Sequence, residues 1–141
     1  MKCQDIMKKD VQCCTVDDTA ATAAARMRDA NVGFMPVCDQ NGIAQGTVTD
    51  RDLCIRVLAD SKPADTKVSE AMSARLICCG PEDDLKVAED LMREHKVSRI
   101  VCTDNKGKPL GVISLSDIAD VERRGRAADV LKSVSHRELR M

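Results

Sequence analysis

Apolar residues come along this chain in short bursts of two rhythms, and the rhythms run through the same order twice. Val11 to Thr15 is a brief β-prone run. From Thr19 to Asn31 the small apolar residues Ala20, Ala23, Ala24, Met27 and Ala30 fall at helical spacing, with Asp18 or Thr19 placed to cap the start. Met35 to Cys38 and Ile43 to Val48 predict strands on either side of Asp39-Gln40-Asn41-Gly42, turn chemistry in which the glycine supplies a positive φ. Leu53, Ile55, Val57 and Leu58 predict a second helix over Asp50 to Leu58, which the polar, proline-containing stretch Asp60 to Asp65 ends. The sequence then begins again with a strand at Leu76 to Cys79, a break at Gly80-Pro81, and a helix over Asp83 to His95 that gathers Leu85, Ala88, Leu91, Met92 and His95 on one face. Strands at Arg99 to Thr103 and Leu110 to Ser114 flank the turn Asp104 to Lys108, and Ser116 to Glu122 opens a closing helix. Outside this scheme lie a charged lead-in turn or helix at Cys3 to Lys9 and, beyond Gly125, one more helix over Ala127 to Val134.

Sliding the chain by 65 positions lays Met7 on Met72, Cys13-Cys14 on Cys78-Cys79, Asp18 on Asp83, Met27-Arg28 on Met92-Arg93, Gly42 on Gly107 and Asp52 on Asp117. One offset held without a gap over so many residue types marks an internal duplication. The expected organisation is an α/β fold of two β-α-β-β-α repeats, the first over 1–60 with its lead-in at 1–10 and a linker at 60–66, the second over 67–122, followed by a basic tail at 123–141. Strands this short and helices this amphipathic do not each bury a face alone, so the two copies are expected to pack as one module with pseudo-two-fold symmetry.

Composition narrows the function classes. In 141 residues, 43% hydrophobic and 32% charged residues describe one globular module. A net charge of −1 gives the whole molecule no polyelectrolyte attraction for nucleic acid or an anionic membrane, and Phe34, alone among aromatic types, leaves no stacking platform for single strands. Charge is uneven: Arg123, Arg124, Arg126, Lys132, Arg137 and Arg140 outweigh Asp129 and Glu138, which reads as a solvated tail. The start has no apolar signal region and no run approaches the ~20 residues that span a bilayer, so the cytoplasm is the expected location. Cys3, Cys13, Cys14, Cys38, Cys54, Cys78, Cys79 and Cys102 include no C-x-x-C pair, and read as reduced thiols serving as small hydrophobes; in each adjacent pair one thiol faces the core and one faces away.

The chemistry concentrates where the repeats agree best. Gly46-Thr47-Val48-Thr49-Asp50-Arg51-Asp52 and Gly111-Val112-Ile113-Ser114-Leu115-Ser116-Asp117 both run glycine, strand formers, hydroxyl, two variable residues, aspartate. Thr49-x-x-Asp52 and Ser114-x-x-Asp117 are capping boxes, in which the hydroxyl and carboxylate satisfy unpaired N–H groups at a helix start. A strand running into a helix start is also where nucleotides are held, and a carboxylate there accepts hydrogen bonds from a ribose diol. Arg51 offers a planar cation for phosphate oxygens, or equally a surface ion pair with Asp50 or Asp52.

Doubled in this way, the stretch resembles the signature of a tandem cystathionine β-synthase (CBS) domain pair, a Bateman module, and the resemblance covers Asp5 to Asp120. Met7 and Met72 closing each lead-in, the aliphatic strands Met35-Pro36-Val37 and Ile100-Val101-Cys102, and the hairpins Asp39 to Gly42 and Asp104 to Gly107 agree with it. The resemblance implies a non-enzymatic sensor, with no required cofactor, that takes an adenosine-type ligand (AMP, ADP, ATP, NAD or S-adenosylmethionine) in the cleft between the two domains and works as a homodimer. It implies that Asp52 and Asp117 bind ribose hydroxyls, with Thr49 and Ser114 near ribose or phosphate and Asp50 and Arg51 beside them. Backbone of Gln12-Cys13-Cys14 and Ile77-Cys78-Cys79 is implied to contact adenine, and Arg99 to reach phosphate. Departures make the two sites unequal: Phe34 stands where Arg99 does, and cysteine stands at 13 and 78 where threonine is frequent. Two other readings compete, a ligand-free module that docks a protein partner and a thiol-based redox or metal sensor. No nucleophile stands in a pattern with a base, which argues against an enzyme.

Overall fold

The computed structural model describes residues 1–121 and 130–134. In chain order the elements are α1 (Cys3–Ile6), β1 (Cys14–Thr15), α2 (Ala20–Ala30), β2 (Phe34–Cys38), β3 (Ala44–Thr49), α3 (Asp50–Leu53), β4 (Cys78–Cys79), α4 (Leu85–His95), β5 (Arg99–Thr103), β6 (Pro109–Ser114) and α5 (Leu115–Val121). Cys54–Leu58 extends α3 as a π-helical turn, Val68–Glu70 is a 3-10 turn, and 130–134 are helical. The fold is mixed α/β with two three-stranded sheets, ordered β1-β2-β3 and β4-β5-β6. No helix among the described residues is long and apolar enough to cross a membrane.

Two compact units result. One is Val11–Leu76; the other joins Met1–Asp10 to the described residues from Ile77 on. The borders of these units differ from those of the sequence repeats, because each lead-in is built into the unit of the opposite repeat. Lys8 pairs as an antiparallel bridge with Val112, and Ser73 pairs in the same way with Thr47. Gly46 and Gly111 make those approaches possible: a Cβ on Gly46 would strike the Ser73 carbonyl, and one on Gly111 would come within 2.7 Å of the Met7 sulfur and 2.9 Å of the Lys8 carbonyl oxygen.

Within each unit a parallel pair of strands is followed by an antiparallel one. Cys14 pairs with Val37 in parallel register and Phe34 with Thr49 in antiparallel register; Cys78 pairs with Val101 and Arg99 with Ser114. In the second repeat Val101 N–H donates to the Ile77 carbonyl at 3.4 Å. Its counterpart 65 positions earlier is Pro36, which has no N–H, so β1 starts at Cys14, one repeat position later than β4 at Cys78; both strands are shorter than the runs expected from Val11 and Leu76. The hairpins close as predicted: Gly42 at φ 79° and Gly107 at φ 89° follow Asp39 and Asp104, whose carboxylates accept the N–H groups of Asn41 and Ile43, and of Lys106 and Lys108.

α2 is capped by the Thr19 hydroxyl, which accepts from Thr22 N–H at 3.1 Å, and α4 by Asp84; left-handed Asn31 and Lys96 end them. Ala20, Ala23 and Met27 of α2 pack with Met35, Val37 and Val48 in one core, while Leu85, Ala88 and Met92 of α4 pack with Ile100, Ile113 and Ile118 in the other. Val130 and Val134, from the helix expected over Ala127 to Val134, are fully buried in that second core; 122–129 and 135–141 lie outside the described residues. Ala24 turns outward, and Glu89 is buried where apolar spacing gave no sign of it. The helix expected over Asp50 to Leu58 keeps its α-helical form only to Leu53. Ala59 N–H then bonds the Cys54 carbonyl at 2.8 Å, the wide π spacing, and Arg56 reaches the Ala71 and Met72 carbonyls. Leu53 and Val57, four apart, are buried, whereas Ile55 and Leu58 remain 44% and 72% exposed, since neither falls on that face.

Candidate functional site

The strand order of each sheet decides what meets at its end. Because β3 returns antiparallel to β2, the start of β2 lies beside the finish of β3, while the short parallel β1 pairs with the last two residues of β2. Phe34 and Thr49 therefore share one end of the first sheet, with Cys14 beside Val37 further along β2, and Arg99 and Ser114 share the corresponding end of the second, with Cys78 beside Val101 further along β5. The register thus brings Arg99 beside Ser114 and Phe34 beside Thr49, and sets the β1 and β4 residues further along each sheet.

Both capping boxes form. Asp52 N–H donates to Thr49 Oγ1 at 3.1 Å, and Thr49 N–H donates to Asp52 Oδ2 at 2.9 Å. Asp117 N–H donates to Ser114 Oγ at 3.2 Å, and Ser114 N–H to Asp117 Oδ2 at 3.2 Å. Each carboxylate uses one oxygen on its own helix start. The other is left over: Asp52 Oδ1 has no partner among the described residues, and Asp117 Oδ1 stands 3.8 Å from Lys8 Nζ, a loose pair because Lys8 is 76% exposed. The box caps the helix, and its bonds to Oδ2 restrict the carboxylate plane.

The remaining candidates divide. Asp50 donates its N–H to the Gly33 carbonyl at 3.0 Å, accepts from Arg51 N–H at 2.8 Å, and lies so close to Gly33 that a Cβ there would stand 2.7 Å from its carboxylate. That is a joint between β2 and α3; the second repeat makes it with Leu115 N–H on the Ser98 carbonyl at 2.7 Å. Arg51 and Arg99 are exposed and enter no ion pair among the described residues. Gln12 is exposed, Cys13 and Ile77 are partly buried, Cys14 and Cys79 are buried, and Cys78 is exposed, so one thiol of each pair takes the core side. Burial pushes the Cys14 and Cys38 thiols up to about 12 and raises Cys13 as well, with the hydrogen bond between Cys13 and Cys38 acting on both. Among the described residues no three His, Cys, Asp or Glu side chains converge to hold a metal ion.

Two residues that touch these candidates are absent from the sequence reading. Arg26 on α2 donates through one guanidinium nitrogen to the Cys13 carbonyl at 3.0 Å and to Asp18 Oδ2 at 2.8 Å. Asp18 also accepts from Thr15 N–H at 2.8 Å, and that backbone bond, with the charge and hydrogen bond of Arg26, holds its carboxyl below the usual aspartate range. The signal for Arg26 lies in the duplication, since position 91 is leucine. Lys8 leaves no such signal, because it reaches Asp117 from the lead-in of the opposite repeat.

The family model of the CBS domain matches residues 3–59 and 68–124. The uncharacterized protein YlbB of Bacillus subtilis is 41% identical over 138 residues, which cover 95% of this chain and 91% of that one. The crystal structure of the CBS domain protein TA0289 from Thermoplasma acidophilum superposes with a TM-score of 0.82 at 22% identity, covering 97% of this chain and 76% of that one. The CBS domain pair of protein MJ0100, in complex with 5′-methylthioadenosine and S-adenosyl-L-methionine, matches with a TM-score of 0.78 at 20% identity over 86% of this chain and 94% of that one.

Proposed function

The chain belongs to the CBS domain family, and on that premise we propose that it is a non-enzymatic regulatory module of the cytoplasm that binds an adenosine-type small molecule and acts as a homodimer. The observation that carries this reading is the half-used carboxylate: in both repeats Oδ2 is held by the backbone where β3 or β6 runs into a helix, and Oδ1 is left over from that box. A ribose diol needs that arrangement, a fixed acceptor with a neighbouring hydroxyl. In the second repeat Asp117 Oδ1 accepts from the ribose hydroxyls, with Ser114 Oγ beside it. The backbone of Ile77-Cys78-Cys79 offers donors and acceptors to the adenine edge, and Arg99 meets phosphate where the ligand carries it. Thr49, Asp52 and Gln12-Cys13-Cys14 have the matching positions in the first repeat, where Arg51 is the cation at hand and Asp50 braces the helix start. The ligands of the MJ0100 domain pair belong to this chemical class.

Calorimetric titration with AMP, ADP, ATP, NAD and S-adenosylmethionine tests the proposal. At least one is expected to bind, with affinity falling 10-fold or more in Asp117→Ala, the size of effect that loss of one charged hydrogen-bond acceptor produces. No heat from any of the five overturns it.

A further inference from the structure

One face of the second sheet carries two cations beside its capping box. Val112 and Ser114 lie two apart on β6 and so point to the same side, away from Ile113, which is buried in the core. Arg99 on β5 is the cross-strand partner of Ser114, and on the other flank Lys8 exchanges both backbone hydrogen bonds with Val112 at 3.0 Å. Directly paired residues share a face, so the end of β6 has a basic side chain on either flank. From there Lys8 Nζ stands 3.8 Å from Asp117 Oδ1, the oxygen left over from the box. The first repeat keeps the backbone and neither of these cations. Ser73 bridges Thr47 where Lys8 bridges Val112, and Phe34 pairs with Thr49 where Arg99 pairs with Ser114. Its own cation, Arg51, stands in the chain between Asp50 and Asp52, while Leu115 and Ser116 take the matching places in the second repeat. At these matched positions the second repeat sets two cations against one carboxylate, and the first sets one cation against two carboxylates.

On the premise that the chain binds an adenosine-type ligand, as proposed above, we infer that Lys8 is a specificity-determining residue. With Arg99 it makes the second repeat select an adenosine ligand that carries phosphate over adenosine itself or S-adenosylmethionine. Lys8 is 76% exposed and too far from Oδ1 for a hydrogen bond, so its ammonium is held near Asp117 without being committed to it. A phosphate entering beside Ser114 draws Nζ across, and Asp117 Oδ1 is released to accept from the ribose. Adenosine takes the same oxygen with nothing to offer the ammonium in return. S-adenosylmethionine brings a net positive charge to a place already positive.

The test is isothermal titration of the full chain with AMP, ADP, ATP, NAD, adenosine and S-adenosylmethionine, on wild type, Lys8→Ala, Lys8→Arg and Asp117→Ala. On wild type at least one of the phosphate-bearing ligands is expected to bind about 10-fold or more tighter than adenosine and S-adenosylmethionine, and Asp117→Ala to lose it. Lys8→Ala is expected to weaken that ligand about fivefold, to leave any adenosine binding within about twofold, and to reduce the fall of affinity with added salt, while Lys8→Arg keeps the wild-type pattern. Adenosine or S-adenosylmethionine binding wild type as tightly as every phosphate-bearing ligand would overturn the inference and leave the ligand reading standing. So would wild-type affinities in Lys8→Ala, an equal loss for all its ligands, or a phosphate-bearing ligand retained by Asp117→Ala. Silence from all six on wild type would remove the inference together with the reading beneath it. Should Lys8→Ala not fold, as its thermal melt would show, Lys8→Gln, neutral and of similar length, takes its place.

Discussion

Arg99 stands directly across from Ser114 in the antiparallel register of β5 and β6, the place Phe34 takes opposite Thr49 in the other repeat. Cross-strand partners lie about 5 Å apart at Cβ, within reach of a common small ligand. Arg99→Ala is therefore expected to weaken AMP and ATP binding about 10-fold, near the worth of one charge-assisted hydrogen bond, and to leave S-adenosylmethionine within about twofold. Titration of the variant with the three ligands checks this; an equal loss for all three would assign Arg99 to structure.

Gly46 and Gly111 occupy the same position in the two repeats but not the same surroundings. At Gly46 the obstacle to a Cβ is the Ser73 backbone, which cannot move alone, whereas at Gly111 the nearest atoms belong to the thioether of Met7, with the Lys8 carbonyl just behind. Overpacking costs about 1–3 kcal/mol, and Gly46→Ala should fall at or above the top of that range with Gly111→Ala below it. Urea unfolding of the two variants measures the difference.

Capping gives a pair of smaller effects. Thr49→Ala and Ser114→Ala each remove the hydroxyl that accepts the N–H of Asp52 or Asp117, at a cost of about 1 kcal/mol, while Thr49→Ser should be nearly neutral. Unfolding midpoints of the three variants provide the check.

Much of the architecture is legible in the sequence, for reasons that can be located. The hairpin at Asp39 to Gly42 is local chemistry, one carboxylate and one positive φ, and so is the Thr49-x-x-Asp52 box. What depends on distant segments is not legible. The need for glycine at 46 and 111 arises from lead-in backbones far away in the chain, and the approach of Lys8 to Asp117 has the same origin. The π turn after Leu53 carries Arg56, whose acceptors are the distant carbonyls of Ala71 and Met72. Arg26 lies in between: its length and charge are in the sequence, but its acceptors at Cys13 and Asp18 need the fold.

Thiol chemistry should sort by depth. Cys54 and Cys78 are exposed, whereas Cys14 and Cys38 are buried and pushed up to about 12. Iodoacetamide at pH 8 on the folded protein is expected to label Cys54 and Cys78 first, and to reach Cys14 and Cys38 only on unfolding, because the thiolate is the nucleophile. Peptide mapping reads the order directly.

Asp18 supplies a pH signature. Its carboxyl is lowered in the fold, first by the Thr15 N–H and then by Arg26. A carboxylate lowered in this way adds stability that is fully present above the unfolded value of about 3.9 and is lost as pH falls through the lower folded value. Asp18→Asn should therefore flatten the stability profile below about pH 4 and lower stability at pH 7 by about 1 kcal/mol, a figure set by partly exposed hydrogen bonds. Urea midpoints at a series of pH values test it.

The Lys8–Val112 and Ser73–Thr47 bridges also dictate a schedule for biosynthesis. Residues 1–10 leave the ribosome ahead of the strand that receives them and must wait, unplaced, for about a hundred more residues at ~5–20 per second. A cut at the midpoint of the duplication would give two fragments, each lacking a piece that the other carries, so they should regain structure when mixed and not when kept apart.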